Sequence, residues 1–219
     1  MKIGLIGAGN IGGTLTRRLT QLGHDVSVSN SRGPATLADL ANETGARAVP
    51  VTEAATGASL VIVTIPEKNV PQLPANVLSG AADGAVFVDT GNYYPQQRDG
   101  LIGEIENGVT ESRWVSQQLG VPVVKAFNGI MAQHLLEKGM AKGTPGRIAL
   151  PVAGDEEAAK QVVMDLVDAL GFDPVDAGGL DDSWRQQPGT PVYGRDFDAE
   201  GVRRALAEAT LGRTPEWMA

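Results

Sequence analysis

Short apolar runs rich in valine and isoleucine alternate with longer alanine- and leucine-rich stretches from Met1 to about Ala177. Most of the short runs are nearly continuous, as in strands covered on both faces, with little of the in-out alternation of a half-wet sheet. The pattern predicts strands at 2–6, 25–29, 47–49, 60–65, 86–90, 121–126, 148–153 and 174–176, with helices between them. One predicted helix opens on Asp155 as N-cap, with Glu156 and Glu157 in its first turn, and closes on Gly171 after Leu170. A doubly wound α/β protein with a mainly parallel sheet follows. After Gly179 the rhythm breaks. "DDSWRQQPGTPVYGRDFD" carries turn residues and no clear period, and a final helix is predicted over 199–211 with Asp198 as its cap.

Composition changes this picture little. Of 219 residues, 42% are hydrophobic and 20% charged, close to the globular average, and the 28 glycines and 13 prolines suit many strand-to-helix turns. The net charge of −8 sets repulsion against nucleic acid and anionic membranes, so neither is expected as a partner. Cysteine is absent, which removes disulfides, thiolate chemistry and thiolate metal sites together. The N-terminus is too short and glycine-broken for a secretory segment, and "LVIVTIP" falls far below a membrane span of roughly 20 residues. A cytoplasmic protein with no metal is the expectation.

The first candidate chemistry lies in "KIGLIGAGNIGG". Gly7, Gly9 and Gly12 take the G-x-G-x-x-G spacing after a strand, at the start of a helix running to about Leu22. Such glycines serve a tight turn, close approach of backbone to pyrophosphate, and helix-to-strand packing, while the helix N-terminus favours the phosphates. Asn10 and Ile11 complete the loop. The expected architecture is therefore a Rossmann-type domain over 1–179, with a C-terminal extension of loop plus helix over 180–219, too short for a core of its own.

An acid about twenty residues onward would accept the ribose 2′-OH of NAD. Here the second strand ends in Ser29, Asn30, Ser31 and Arg32, followed by Gly33. Short donors and a guanidinium fork suit a 2′-phosphate, so the stretch predicts NADP(H) over NAD(H). In an open α/β sheet the rest of the ligand lies beyond the carboxyl ends of the strands. Thr64, Ile65 and Pro66 end the fourth strand, Asp89, Thr90, Gly91 and Asn92 the fifth, and Lys125, Ala126, Phe127 and Asn128 the sixth. From these, Thr64, Ile65, Pro66, Asn92, Ala126 and Asn128 are the candidate contacts to the nicotinamide half.

General acid–base candidates are few. His24 precedes the second strand and His134 lies on a short later helix; both read as structural, and no Tyr-x-x-x-Lys pair is present. Asn128 and Lys125 remain as candidates for a catalytic role. Hydride transfer to a flavin-like ring is chiefly a positioning task, with reacting carbons about 3–3.5 Å apart. The scarcity suits that chemistry. Trp184, Tyr193 and Arg195, on the irregular tail, are candidates for the acceptor side or a subunit contact.

"IGLIGAGNIGGTLTRRLTQLGHDVSVSNSRGP", "VIVTIP", "VVKAFNGI" and "PVAGDEEAAKQVVMDLVDALGFDPVDAGGL" resemble the coenzyme F420-dependent NADP oxidoreductases. They are similar also to the cytoplasmic domain of the STEAP metalloreductases. The resemblance runs from Met1 to about Leu180. It implies NADPH as hydride donor, a Rossmann domain, a deazaflavin (coenzyme F420) or flavin as acceptor, a small extension at the acceptor cleft and often a homodimer. Two departures stand out. The deazaflavin family tends to carry His where this chain has Asn128, and the tail does not resemble the family's apolar acceptor-side helix. Two further readings fit the residues: reduction of a small imine or ketone, which would need an added helical domain, and a non-catalytic NADP(H) sensor.

Overall fold

The computed structural model describes residues 1–212; the end of the expected C-terminal extension, 213–219, lies outside the described residues. Six strands form one parallel sheet: β1 (Lys2–Ile6), β2 (Asp25–Ser29), β3 (Arg47–Ala48), β4 (Leu60–Val63), β5 (Val86–Asp89) and β6 (Val124–Lys125), in the order β3-β2-β1-β4-β5-β6. The order reverses between β1 and β4, which is the topological switch of the dinucleotide-binding fold. Register aligns the carboxyl ends: Ile6 stands opposite Ser29 and Val63, Val63 opposite Asp89, and Asp89 opposite Lys125. The residues that follow form a single rim.

The helices are α1 (Asn10–Gln21), α2 (Ala38–Thr44), α3 (Gly103–Glu106), α4 (Glu111–Leu119), α5 (Ala132–Glu137), α6 (Glu157–Ala169) and α7 (Ala199–Glu208). Ile3, Leu5, Val28, Ile62 and Val88 face one side of the sheet and bury against Leu15 and Leu19 of α1, Leu135 of α5, and Val163 and Val167 of α6. Ile6, Val61 and Val63 face the other side, where Ala54, Ala55 and Val77 cover them. That second cover differs from expectation: the chain crosses from β3 to β4 and from β4 to β5 through 3₁₀ turns, Val51–Glu53 and Glu67–Gln72. A Cβ on Gly4 would overlap the carbonyl of Ala54, so only glycine lets this segment lie directly on β1.

β7 (Ala149–Val152) and β8 (Asp173–Asp176) pair in parallel as a separate two-stranded sheet, joined to β6 by one antiparallel bridge between Lys125 and Ala153. The sixth strand is shorter than 121–126, because Pro122 has no N–H to give to a ladder. Asp155 is not the cap of α6. Glu156 takes that position, and the Asp155 carboxylate accepts instead from Arg113 Nη1 (2.7 Å) and the Leu180 N–H (2.8 Å). Gly171 does follow α6 at positive φ (96°). The irregular tail contains 3₁₀ turns over Leu180–Gln186, and α7, capped by Asp198, ends at Glu208, short of 211. Among the described residues no helix is long and apolar enough to cross a membrane, and no cluster of carboxylates and imidazoles is placed to hold a metal.

Candidate active site

A cleft of about 600 Å³ opens at the switch between β1 and β4. Gly7, Ala8 and Gly9 form its floor, Asn30, Ser31 and Arg32 one wall, and Thr64, Ile65 and Pro66 the other. Each glycine of the loop has a different reason to be one. Gly7 sits at φ 112°, and a Cβ there would lie 2.5 Å from the Thr64 carbonyl and hydroxyl oxygens; one on Gly12 would overlap the Gly7 carbonyl. A Cβ on Gly9 would meet nothing within 4 Å. The backbone is thus packed against β4 at Gly7 and Gly12 and open to the cleft at Gly9, beside the free N–H groups that begin α1. Asn10 is exposed at that helix start, and Ile11 packs partly against the core.

The rim is braced by hydroxyls. Ser29 is buried and donates to the Leu5 carbonyl (3.0 Å), so it turns away from the cleft. Thr64 donates to Gly7 O (2.9 Å) and Thr90 to Val63 O (3.2 Å). Asn30 Oδ1 accepts from the Arg32 N–H (2.9 Å), and Gly33 at φ 87° completes the turn. Arg32 itself is exposed, and no carboxylate pairs with it among the described residues. The loop presents a guanidinium and no acid.

Past β4 the rim is closed. Asn92 and Asn128 exchange hydrogen bonds, Asn92 Nδ2 to Asn128 O (2.9 Å) and Asn128 Nδ2 to Asn92 Oδ1 (3.1 Å), and Gln186 from the tail bonds Asn128 through both its carbonyl (2.7 Å) and Nε2 (3.0 Å). The Tyr193 hydroxyl meets that of Tyr94, over whose ring Arg98 stacks at 5.0 Å. Burial first, and the Tyr94 hydroxyl second, push the Tyr193 phenol above its usual pKa. Ala126 and Asn128 are buried, and Asn92, Ala126 and Asn128 do not line the cleft. Trp184 lines a separate cavity of about 680 Å³ beside α4, and Arg195 is exposed. His24 lies by the N-terminal amine and His134 pairs with Asp196 at 2.9 Å.

Beneath the rim lies a buried ionic cluster. Lys125, fully buried, donates to Asp89 Oδ2 (3.1 Å) and Gly91 O (2.6 Å) and stands 4.0 Å from Glu111. Asp89 also accepts from Ser112 Oγ (2.6 Å) and the Gly91 N–H (2.8 Å). Burial pulls the Lys125 ammonium down, but Asp89 and then Glu111 outweigh it and hold its pKa above the ordinary value. Glu67 is 0% exposed with neither oxygen hydrogen-bonded; desolvation, then Asp89, lift its carboxyl well above the carboxylate range. Lys125 is thus held by Asp89 and the Gly91 carbonyl beneath the rim. Sequence reasoning missed Glu67 and Gln186, together with the far wall at Asn69, Gln72, Leu73 and Pro74; an acid placed directly after "VTIP" was the available signal.

Comparison with known proteins follows the same lines. The family model described as NADP oxidoreductase, coenzyme F420-dependent, matches residues 2–93, which hold β1 to β5, the glycine loop and Arg32. Over residues 2–93 the chain belongs to this family of NADP oxidoreductases. Two solved structures share the fold over most of its length. Protein SMa0349 from Sinorhizobium meliloti is 32% identical, with a TM-score of 0.75 over 90% of this chain and 95% of that one. A candidate F420-dependent NADP reductase from Arthrobacter sp. FB24 is 26% identical, with a TM-score of 0.68 over 84% and 87%. Rat metalloreductase STEAP3 is 27% identical over 180 residues, 82% of this chain and 34% of its own. The chain spans between a third and about half of the length of the curated relatives it matches. For a member of this family, the open Gly9 and the acid-free β2 loop fit an NADP(H) dinucleotide.

Proposed function

We propose that the protein is an NADP(H)-dependent oxidoreductase that moves a hydride between the nicotinamide and a deazaflavin- or flavin-type ring. One observation carries the reading: a single cleft joins a glycine cradle left open at Gly9 to a β2 loop that offers Arg32 and no acid. Gly7 to Gly9 and the start of α1 would hold the pyrophosphate, Asn30, Ser31 and Arg32 the 2′-phosphate, and Thr64 to Pro66 the far ribose side. When bound, NADPH supplies a hydride from its nicotinamide ring. The protein's part is to fix that ring at the end of β4 and to keep water from it. The family resemblance supports a cytoplasmic homodimer as the working form.

Arg32→Ala is expected to weaken NADPH binding by about 10- to 100-fold, roughly 1.4–2.7 kcal/mol, and to leave NADH binding unchanged, as read by isothermal titration. Equal losses for the two nucleotides would remove the 2′-phosphate assignment. Absorbance at the nicotinamide band, with deazaflavin, FMN or FAD offered in turn, tests the acceptor. Tight NADPH binding without oxidation by any of the three would reject the flavin-type ring.

A further inference from the structure

We propose that Glu67 is the proton-linked group of the nicotinamide site: it releases its proton when the oxidised ring binds along the β4 wall of the cleft, and keeps it when the reduced ring binds. The inference rests on the NADP(H) reading. Glu67 directly follows the three residues that form the β4 wall of the cleft, and Asn69 of the same 3₁₀ turn lines that cleft as well. Its carboxyl is packed against Gly91, where a Cβ would come within 2.5 and 2.6 Å of the two oxygens. It therefore sits under the rim between β4 and β5.

Four charged groups face it, each from a different element: Asp89 at the end of β5, Lys125 at the end of β6, Glu111 at the start of α4, and Asp99 in the π turn Pro95–Asp99. Asp89 has three donors, and Asp99 accepts from Arg98 and the Tyr94 N–H (2.8 Å). The single ammonium is shared between Asp89 and Glu111. Glu67 has no donor of its own, so it rests as a neutral acid, the one carboxyl in the group that nothing solvates as an anion.

The placement of the dinucleotide supplies the trigger. With pyrophosphate at the β1 loop and 2′-phosphate at the β2 loop, the nicotinamide half would extend to the opposite side of β1, along the cleft wall formed by Thr64 to Pro66 and Asn69. The reduced ring is neutral and the oxidised ring carries a positive charge. An arriving cation beside a desolvated acid favours its anion, so the O–H bond of Glu67 breaks and the proton leaves to solvent; no electron moves in this step. Binding of the oxidised cofactor then tightens as pH rises, by up to about tenfold per pH unit for one proton released.

The test is isothermal titration of the full chain with NADP⁺ and with NADPH between pH 7 and 9. Two buffers of different ionisation enthalpy, phosphate and Tris, give the proton count. The 2′-phosphate is common to both nucleotides and cancels in the comparison. Wild type is expected to release a substantial fraction of a proton on binding NADP⁺ and none beyond the shared term on binding NADPH. In Glu67→Gln the difference vanishes and the affinity for NADP⁺ becomes flat with pH. An equal count for the two nucleotides in wild type, or a difference that survives in Glu67→Gln, overturns the proposal. Should Glu67→Gln not fold, the infrared difference spectrum of wild type decides: a protonated-carboxyl band lost on NADP⁺ but not NADPH supports it, and no loss refutes it. Failure of both nucleotides to bind refutes instead the NADP(H) reading beneath it.

Discussion

Gly9→Val is expected to weaken NADPH binding by about a hundredfold, which corresponds to 2.7 kcal/mol, while the melting temperature stays close to that of wild type. The backbone at Gly9 has φ −73° and ψ −160°, extended values that any residue adopts, and nothing lies within 4 Å of an added Cβ. A side chain's Cβ there needs no unusual backbone angle and meets no neighbour. The valine fills the space in front of the α1 N-terminus, where a phosphate would approach the N–H groups. Gly12→Val inverts the pattern, since its Cβ overlaps the Gly7 carbonyl and overpacking destabilises by about 1–3 kcal/mol or more. Calorimetry and thermal melting on the two variants separate cradle from packing. Wild-type affinity in Gly9→Val would mean that the phosphates bind elsewhere.

Lys125→Met is expected to destabilise the fold by about 3–5 kcal/mol, because it leaves Asp89 and Glu111 buried without their cation. Methionine matches the aliphatic stem, so little of the loss comes from a cavity. The pH dependence identifies the cause. The Lys125 pKa is raised in the fold, so its stabilisation is complete below the unfolded value of about 10.4 and is lost as pH climbs through the folded one. The variant lacks that alkaline loss. Urea unfolding from pH 7 to 12 reads this trend, and a deficit independent of pH would assign Lys125 a packing role alone.

The glycine loop was legible because its requirements are local. The spacing of Gly7, Gly9 and Gly12 and the missing acid at 29–32 concern neighbours in the chain, and a strand before with a helix after defines their setting. What escaped is non-local. Asp155 looks like a cap until Arg113 and the Leu180 N–H, from distant segments, compete for its carboxylate and win. Nothing in "GRIALPVAG" says that its strand will meet β6 through one antiparallel bridge. Asn128 suits an amide contact in sequence, yet Gln186, 58 residues onward, takes up its side chain. The burial of Glu67 depends on Gly91, Lys125 and α4 arriving around it, and its charge state exists only once they have. The crossover from β3 to β4 is of the same kind, since Ala54 lies directly over Gly4.

The hydroxyl braces at Ser29, Thr64 and Thr90 tie the strand ends to one another through the protein's own carbonyls. Capture of a dinucleotide on such a rim is docking onto a finished surface, with little backbone left to order on contact. The encounter then takes place in the field of the whole chain, whose net charge of −8 opposes a polyanionic cofactor. Salt that screens this long-range field eases the approach, while Arg32 and the start of α1 supply the attraction at close range. Dissociation, governed by the contacts at Arg32 and the glycine loop, sets how long the complex lasts.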